Sequence, residues 1–308
     1  MTKGTHNYLE DKRNEGILIY VNGDILPRND ATISVFDSGF LLGDGVWEGI
    51  RLYNGHLVFL EEHLDRLYKG AKQLAIEVGY NPEELAGLIY KTLAANGMKS
   101  GVHIRLIVSR GLKKTPYQHP NANAGSSTIV IIPEYKEADK KTNKTGIRLV
   151  TVTTRRGTPD SQDPRLNTLS KLNCIIACIE ADKAGADEGI MLDVNGNVST
   201  CNSTNFFIVR AGEVWTSTGQ HCLPGVTRQA IINICRDNEI PVYEKDFRID
   251  SVLSADEVFV TGTFAGVIPA IEVDGRVMSN NIRGSLTQRL QKLYTSKLNR
   301  MYLKTGPA

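Results

Sequence analysis

Short runs of β-branched and apolar residues recur along the whole chain, and tight turn sequences separate many of them. In the first half, Asn22-Gly23-Asp24 follows the apolar run 17–21, and Asn54-Gly55 follows the run 47–53. The second half repeats the pattern with turn sequences at Asn195-Gly196-Asn197, Ala211-Gly212-Glu213 and Asp274-Gly275-Arg276. Strands joined in this way, with a few helices among them, predict an α+β architecture rather than a doubly wound parallel sheet.

Two helices are predicted among the strands of the first half. Residues 61–74 place Leu64, Leu67 and Ala71 at helical spacing, which is typical of an amphipathic helix. A second helix is expected to begin at Asn81-Pro82, since Asn is a good N-cap and Pro suits the first helical position. Further strands are predicted for the runs 33–36, 57–60, 102–109 and 127–132.

A polar, charged segment without apolar periodicity lies near the middle of the 308 residues. We interpret this segment, residues 136–146, as a linker between an N-terminal α+β domain (1–135) and a C-terminal α+β domain (147–308). The C-terminal domain is predicted to hold a helix over 171–184. Its predicted strands are 147–154, 189–192, 206–209 and 258–261.

Composition argues against several classes of partner. Lys and Arg total 36 and Asp and Glu total 34, so the net charge of +2 gives no basic surface for nucleic acid or an anionic membrane. The five cysteines are an odd and irregular set, which fits reduced thiols better than a disulfide framework, and because they form no CxxC pair and have no histidine at ligand spacing, no zinc site is expected. The polar start of the chain and the lack of an apolar run of about 18 residues predict a cytoplasmic protein without a membrane span.

Three places have the residue types that bind an anion. Gly225-Val226-Thr227 precedes a helical apolar pattern, Thr261-Gly262-Thr263 follows a strand, and Arg51 lies on a strand. Backbone amides at a helix N-terminus, hydroxyls and a guanidinium all suit a phosphate or a carboxylate. On local grounds alone, however, an ordinary helix cap, a turn and a surface ion pair are the better interpretations of the three places.

The run 34–51, SVFDSGFLLGDGVWEGIR, resembles the N-terminal signature of the class IV aminotransferases, the fold-type IV pyridoxal-phosphate enzymes. The resemblance continues in order over about residues 17–280. It is carried by EEHLDRL (61–67), AGADEGIMLD (184–193), LPGVTR (223–228) and ADEVFVTGT (255–263).

The resemblance implies a two-domain fold with pyridoxal 5'-phosphate bound in a cleft between the domains. The family's cofactor phosphate would be held by Arg51, Val226, Thr227 and Thr263 of this chain. The implied reaction moves an amino group between an amino acid and a 2-oxo acid, with a lysine moving the proton. The family forms homodimers whose clefts borrow a loop from the partner, so a homodimer is expected.

Two positions depart from the family pattern. Counted back from residues 184–188, Asn167 stands where the family has its Schiff-base lysine, and an amide side chain cannot form an imine. The nearby lysine, Lys171, stands one helical turn later, where the family usually has a tyrosine. Thr200 replaces the glutamate that binds the pyridine nitrogen, and a neutral hydroxyl cannot balance a pyridinium charge as a carboxylate does.

Two hypotheses follow from these departures. In the first, Lys171 has taken over as the Schiff-base lysine, because a lysine near Arg51 and Arg105 could have its pKa lowered and its side chain spans about one helical turn. In the second, the phosphate-binding residues are kept but transamination is lost. The protein would then bind or convert a different ligand.

The predicted substrate site is also only partly like that of the family. His103 and Arg105 fall where branched-chain members have a tyrosine and an arginine, which makes them candidates for binding the substrate α-carboxylate. Phe40 lies where many members have a tyrosine. The Arg-x-His motif of the D-amino acid type is absent after Arg110-Gly111. Together these positions favour a pocket of the branched-chain type.

Overall fold

The computed structural model describes Thr5, residues 10–139 and residues 141–303, with only the backbone of 302 and 303. The described residues form two compact units. The N-terminal unit contains residues 10–137 together with the segment 166–171. The C-terminal unit contains residues 138–139, 141–165 and 172–303, together with Thr5. The predicted C-terminal domain includes the segment 166–171, but the backbone of this segment bonds to a strand of the N-terminal unit.

The N-terminal unit contains one six-stranded sheet and three helices. Its strands are β1 (Leu18–Val21), β2 (Asp24–Pro27), β3 (Gly45–Tyr53), β4 (His56–Leu57), β5 (Val102–Ser109) and β6 (Thr128–Tyr135). Its helices are α1 (Ser38–Leu42), α2 (Leu60–Gln73) and α3 (Pro82–Ala95). The strand order is β2-β1-β6-β5-β3-β4, and every pair of neighbours is antiparallel. Short 3-10 helices lie at Lys12–Gly16 and Pro120–Ala122.

Strict alternation along β3 divides its side chains between two faces of the sheet. Val46, Ile50 and Leu52 are buried in the core of the unit. Leu64 and Leu67 of α2 belong to the same core, as the helical spacing predicted. The core therefore lies on one face of the sheet. On the other face, the side chains of Trp47, Arg51 and Tyr53 remain partly exposed.

The second predicted helix is confirmed with its cap. The Asn81 side chain accepts a hydrogen bond from the Glu84 backbone N–H (2.8 Å), and the Glu84 carboxylate accepts one from the Asn81 N–H (2.8 Å). Pro82 occupies the first helical position. This reciprocal capping box satisfies backbone donors that the first turn of α3 would otherwise leave unpaired.

The strands predicted at 33–36 and 57–60 are wrong. Residues 33–36 form an irregular segment and a turn with exposed Val35 and Phe36, because the Asp37 side chain accepts from the Gly39 N–H (2.8 Å) and starts α1. In the second case only His56–Leu57 pairs as a strand, since α2 already begins at Leu60.

The C-terminal unit contains a nine-stranded sheet. Its strands are β7 (Ile147–Thr151), β8 (Glu188–Leu192), β9 (Val198–Cys201), β10 (Asn205–Arg210), β11 (Glu213–Thr216), β12 (Val242–Glu244), β13 (Glu257–Gly262), β14 (Gly266–Val273) and β15 (Arg276–Val277). Its helices are α4 (Thr142–Thr145), α5 (Pro159–Gln162), α6 (Leu172–Lys183), α7 (Val226–Asp237), α8 (Ile249–Leu253) and α9 (Ser285–Leu303), with a 3-10 turn at Ser279–Asn281.

The strand order of this sheet is β12-β11-β10-β13-β14-β7-β8-β9, with β15 beside β14. The pairs β11–β12, β14–β7 and β7–β8 are parallel and the other pairs antiparallel, so the sheet is mixed. Phe207 of β10 lies opposite Phe259 of β13, and their rings stack with centroids 4.8 Å apart. The neighbouring residues Phe206 and Val258 face the opposite side and join the main core of this unit.

The predicted strands and helix of this half are confirmed with small changes at their ends, while α9 was not predicted. None of the described helices is both long enough and apolar enough to span a bilayer.

Candidate functional site

Three candidate residues of the N-terminal unit share the partly exposed face of its sheet. Arg51 of β3 lies opposite His103 of β5 in the antiparallel register, and Gly49 lies opposite Arg105. Alternate residues of these strands are buried, so Arg51, His103 and Arg105 point to the same side. A Cβ on Gly49 would lie 3.1 Å from His103 Nε2, so the imidazole lies directly over this glycine. The sheet thus presents two guanidinium groups and an imidazole on one surface.

Trp47 is the aromatic centre of this surface. The Arg105 guanidinium lies 3.7 Å from the centroid of the Trp47 ring, and Lys171 Nζ lies 5.3 Å from it. The indole N–H donates to the Thr168 carbonyl (3.1 Å), which fixes the plane of the ring. Burial lowers the pKa of Arg105, although Glu134 and Glu48 partly oppose this shift. The ring therefore holds two basic side chains by cation–π contacts.

Asn167 and Lys171 lie on a segment that runs beside β3. The Trp47 backbone N–H donates to the Asn167 carbonyl (3.0 Å), and the Leu169 N–H donates to the Gly45 carbonyl (2.9 Å). The Asn167 side chain donates to the Trp47 carbonyl (2.6 Å) and accepts from Lys171 Nζ (3.0 Å). The amine of Lys171 is therefore held beside the very position that it was predicted to replace.

A buried ion cluster supports β3 from the core side. Glu48 is fully buried, and its carboxylate accepts from Arg66 Nε (2.8 Å) and contacts His63 Nδ1 (2.7 Å). Burial alone would raise the pKa of Glu48, but the charge of Arg66 and the bond to His63 outweigh it and lower that pKa. The carboxylate is thus compensated locally. Phe40, the remaining candidate of this unit, lies on α1 with an exposed side chain.

In the C-terminal unit, the start of α7 has the geometry expected of an anion site. Val226 and Thr227 form the first turn of this 12-residue helix, and no side chain caps it at Gly225. A Cβ on Gly225 would overlap Asn205 Oδ1, so any larger residue would force Asn205 or the loop to shift. The Asn205 amide in turn donates to the Leu223 carbonyl (3.0 Å). The loop before α7 is therefore fixed, and the first amides of the helix stay available to an anion.

Further hydroxyls lie near this turn. Thr261 lies directly opposite Asn205 in the register of β10 and β13. Its buried hydroxyl has no hydrogen-bond partner within the described parts of the chain. Thr263 follows in the turn after β13 and is partly exposed. The unpaired hydroxyl of Thr261 and the open first turn of α7 fit an incoming group with several acceptor oxygens, such as a phosphate.

Thr200 is connected to the same loop region through Thr204. Its buried hydroxyl donates to the Thr204 carbonyl (2.8 Å), and Thr204 directly precedes Asn205 and β10. Because a hydroxyl has a single proton, Thr200 can offer only lone pairs to any further group. Its chemistry is that of a neutral acceptor, unlike the charged carboxylate of the family pattern.

The chain matches the model of the family "Amino-transferase class IV" over residues 45–273. A branched-chain-amino-acid aminotransferase-like protein 2 of Arabidopsis thaliana is 40% identical over 281 residues, 91% of this chain and 50% of that protein. A putative branched-chain-amino-acid aminotransferase of Methanocaldococcus jannaschii is 37% identical over 277 residues, 90% of this chain and 94% of the relative.

A solved structure agrees with these relatives. The T.th. branched-chain amino acid aminotransferase, complexed with N-(5'-phosphopyridoxyl)-L-glutamate, superposes with a TM-score of 0.83 at 30% identity. The alignment covers 91% of this chain and 93% of that one. This chain belongs to the class IV aminotransferases, and its two-sheet α+β fold is the predicted fold-type IV architecture. It spans about half the length of the matched Arabidopsis protein.

The residues present fit a phosphorylated pyridoxal group at two points, each within its own unit. The first turn of α7 with the unpaired Thr261 hydroxyl suits a phosphate, and Lys171 Nζ supplies an amine within 3.0 Å of the amide at position 167. The sequence pointed to the helix start and to both residues of the amine pair. It did not single out Trp47, Asn205 or Thr261, because these act through contacts between distant parts of the chain.

Glu188 is a buried acid that sequence reasoning missed. Thr204 Oγ1 donates to its carboxylate (2.7 Å), and Thr5 Oγ1 donates to the other oxygen. Burial raises the pKa of Glu188 to about 7, although the hydrogen bonds oppose this shift. Burial, together with the charge of Glu188, also raises the pKa of Cys201. A hydrophobic pattern alone cannot reveal a single buried carboxyl inside strand β8.

The raised pKa of Glu188 predicts a loss of stability with rising pH. The folded state keeps its proton to about pH 7, whereas the unfolded chain releases it near the ordinary value of 4.5. The favourable contribution is complete below pH 4.5 and is lost through about pH 7, on the order of 3 kcal/mol. Thermal melts across this range should show Glu188→Gln gaining stability relative to wild type as the pH rises. A constant difference would contradict the raised pKa.

Proposed function

We propose that this protein is a pyridoxal-phosphate-dependent aminotransferase of the branched-chain type, which moves an amino group between an amino acid and a 2-oxo acid. The observation that carries the proposal is the open first turn of α7, fixed by Asn205 and Gly225 in the arrangement that suits a phosphate. Family membership and the phosphopyridoxyl ligand of the structural relative support it.

The proposal assigns the cofactor phosphate to the Val226 and Thr227 amides, the Thr227 and Thr263 hydroxyls and the Arg51 guanidinium. When bound, pyridoxal phosphate supplies an aldehyde and an electron-withdrawing ring. Helix amides and a threonine hydroxyl donate hydrogen bonds to phosphate oxygens, while Arg51 adds a positive charge. These donors hold and orient the group without taking part in proton transfer.

Lys171 is proposed as the catalytic amine. Its Nζ would supply the amine for covalent attachment of the aldehyde and, once the substrate amine has displaced it, would carry a proton away from, and back to, the substrate carbon. The Trp47 ring lies 5.3 Å from this amine and also holds the Arg105 guanidinium. His103 and Arg105 are proposed to bind the substrate carboxylate, with Phe40 as an apolar wall. The Arg105 guanidinium and the His103 imidazole lie on one face of the sheet and give the carboxylate two hydrogen-bond donors.

Thr200 is proposed to face the ring nitrogen, with Asn167 beside the amine. A hydroxyl that already donates to Thr204 can only accept from that nitrogen, and it brings no counter-charge. Compared with a carboxylate, it leaves a protonated ring less stabilised. We therefore expect slower proton transfer than in relatives with the usual glutamate.

One observation favours a second candidate function. Asn167, which cannot form an imine, is buried, and both the nitrogen and the oxygen of its amide group are hydrogen-bonded. A homologue that has lost transamination could keep the phosphate-binding turn of α7 and use it for another phosphorylated ligand. The same chain would then bind pyridoxal phosphate weakly, without covalent attachment.

Spectroscopy separates the two functions. The purified protein is loaded with pyridoxal phosphate, dialysed, and monitored in the visible range during addition of L-leucine, L-valine and 2-oxoglutarate. The aminotransferase retains a visible band that bleaches with the amino acid and returns with the 2-oxo acid. A protein that retains no band after loading contradicts the aminotransferase proposal. The second function then gains support if the phosphorylated compound still binds in equilibrium dialysis.

We also propose a homodimer. Four large aliphatic side chains of α6 are between 42% and 67% exposed within this chain, at positions that share one helix face: Leu172, Ile175, Ile176 and Ile179. Contiguous exposed apolar surface of this kind is typical of protein interfaces. Sedimentation velocity measures the oligomeric state of the protein.

A cytoplasmic location stays a prediction, with which the five free cysteines agree.

A further inference from the structure

The amide of Asn167 has only one orientation compatible with its surroundings. Its Nδ2 lies 2.6 Å from the Trp47 carbonyl oxygen, which can only accept a hydrogen bond. The amide oxygen must therefore point the other way, and it lies 3.0 Å from Lys171 Nζ. Asn167 is only 6% exposed, so water does not replace these bonds readily. The residue is thus a fixed acceptor aimed at the lysine amine.

The backbone around Asn167 and Trp47 is equally constrained. The two residues share a backbone hydrogen bond as well as the side-chain one, and Val46 forms an isolated antiparallel bridge with Thr168. Ser170 Oγ donates to the Gly43 carbonyl (3.2 Å) and holds the end of the segment just before Lys171. These bonds fix the position of the Asn167 amide. Its acceptor oxygen therefore marks one place for the Lys171 amine.

We infer that Asn167 is a positioning residue, which directs the Lys171 amine through a neutral hydrogen-bond acceptor. This inference rests on the proposed role of Lys171 as the catalytic amine. A neutral amide oxygen accepts a hydrogen bond from the amine but adds no negative charge, so it favours the ammonium form less than a carboxylate would. A carboxylate at this place would hold the amine equally well and keep it protonated.

Basic side chains share the Trp47 ring and the sheet face with the amine. Arg105 shares the Trp47 ring with Lys171, and Arg51 and His103 lie on the same face of the sheet. Positive neighbours disfavour an additional ammonium group. Among the described residues, the acids nearby are Glu134, Glu48 and Asp44, and Lys136 adds a positive charge near Glu134 and Arg105. Glu134 lies opposite His103 on β6, Glu48 is paired with Arg66 on the core side, and Asp44 is paired with Arg110 (2.7 Å).

Two variants test the inference, with two readouts that do not require turnover. The first readout is the pH dependence of trace acetylation of Lys171 by acetic anhydride, measured by mass spectrometry without cofactor. The second is the rate at which pyridoxal phosphate becomes fixed to Lys171 by borohydride. Lys245, whose Nζ lies 3.1 Å from the Trp215 ring centroid in the C-terminal unit, is the internal control because it too rests on an indole ring.

Asn167→Asp adds a charge at the acceptor position. We expect the acetylation midpoint of Lys171 to rise by about one pH unit or more, and the fixation rate to recover at high pH. Asn167→Leu removes both hydrogen bonds at similar volume. Its fixation rate should fall on the order of 10- to 100-fold at every pH, because the amine is no longer directed. Lys245 should keep its midpoint in both variants.

The inference is overturned if both variants show native circular dichroism and yet keep the acetylation midpoint and the fixation rate that Lys171 has in the wild type. In Asn167→Asp, a carboxylate oxygen replaces the N–H that donates to the Trp47 carbonyl. Because two oxygen acceptors then face each other, this variant is expected to be less stable. If it does not fold, the Leu variant decides the question alone. Absence of fixation on Lys171 in the wild type would instead count against the proposed function, while the acetylation midpoints still report on Asn167.

Discussion

Lys171→Ala is expected to abolish the covalent attachment of pyridoxal phosphate and to lower transamination by about 10³-fold or more. The physical reason is the loss of the amine that Asn167 and Trp47 hold on the partly exposed face of the N-terminal sheet. The measurements are borohydride fixation followed by peptide mapping, and steady-state turnover with a branched-chain amino acid. Both should fall together, since one amine forms the attachment and moves the proton.

Lys245→Ala is the matched control. It also removes an amine from an indole ring, that of Trp215, but in the C-terminal unit and beside no predicted site residue. It should leave both fixation and turnover unchanged. The most informative contrary result is fixation in Lys171→Ala on another lysine.

The local features of the fold could be predicted from sequence because short-range patterns carry them. The apolar spacing of α2 and the Asn81-Pro82 start of α3 depend on neighbouring residues, and both elements form where expected. The failure at residues 33–36 has a local cause as well. Asp37 caps the first turn of α1, and this cap outweighs the apolar run before it.

The parts that could not be predicted depend on contacts between distant segments. Nothing near residue 167 indicates that its backbone pairs with Trp47, which lies 120 positions earlier. The motif pattern predicts that Asn167 stands in place of a lysine, but it gives no sign of the hydrogen bond between Asn167 and Trp47. The same holds for Asn205. Its role in fixing the loop before α7 depends on its contact with Gly225, which lies 20 positions later in the chain.

Gly225→Ala is expected to lower the affinity for pyridoxal phosphate by about 100-fold, which corresponds to about 2.7 kcal/mol. The added Cβ would lie 2.0 Å from Asn205 Oδ1. Asn205 cannot turn away cheaply, because it is buried and its amide already donates to the Leu223 carbonyl. The loop and the first turn of α7 must therefore shift, and the Val226 and Thr227 amides move with them. Equilibrium dialysis measures the loss.

Unphosphorylated pyridoxal distinguishes this effect from general damage. It lacks the phosphate that α7 is proposed to hold, so its fixation rate on Lys171 should be nearly equal in Gly225→Ala and in wild type. The matched control is Gly87→Ala in α3, where an added Cβ meets no atom within 4 Å and where alanine favours the helix by about 1 kcal/mol. Equal affinity of Gly225→Ala and Gly87→Ala for pyridoxal phosphate would remove α7 from the binding site. A selective loss in Gly225→Ala would place the phosphate at this helix even if Lys171 proved not to be the catalytic amine, because the two assignments rest on different contacts.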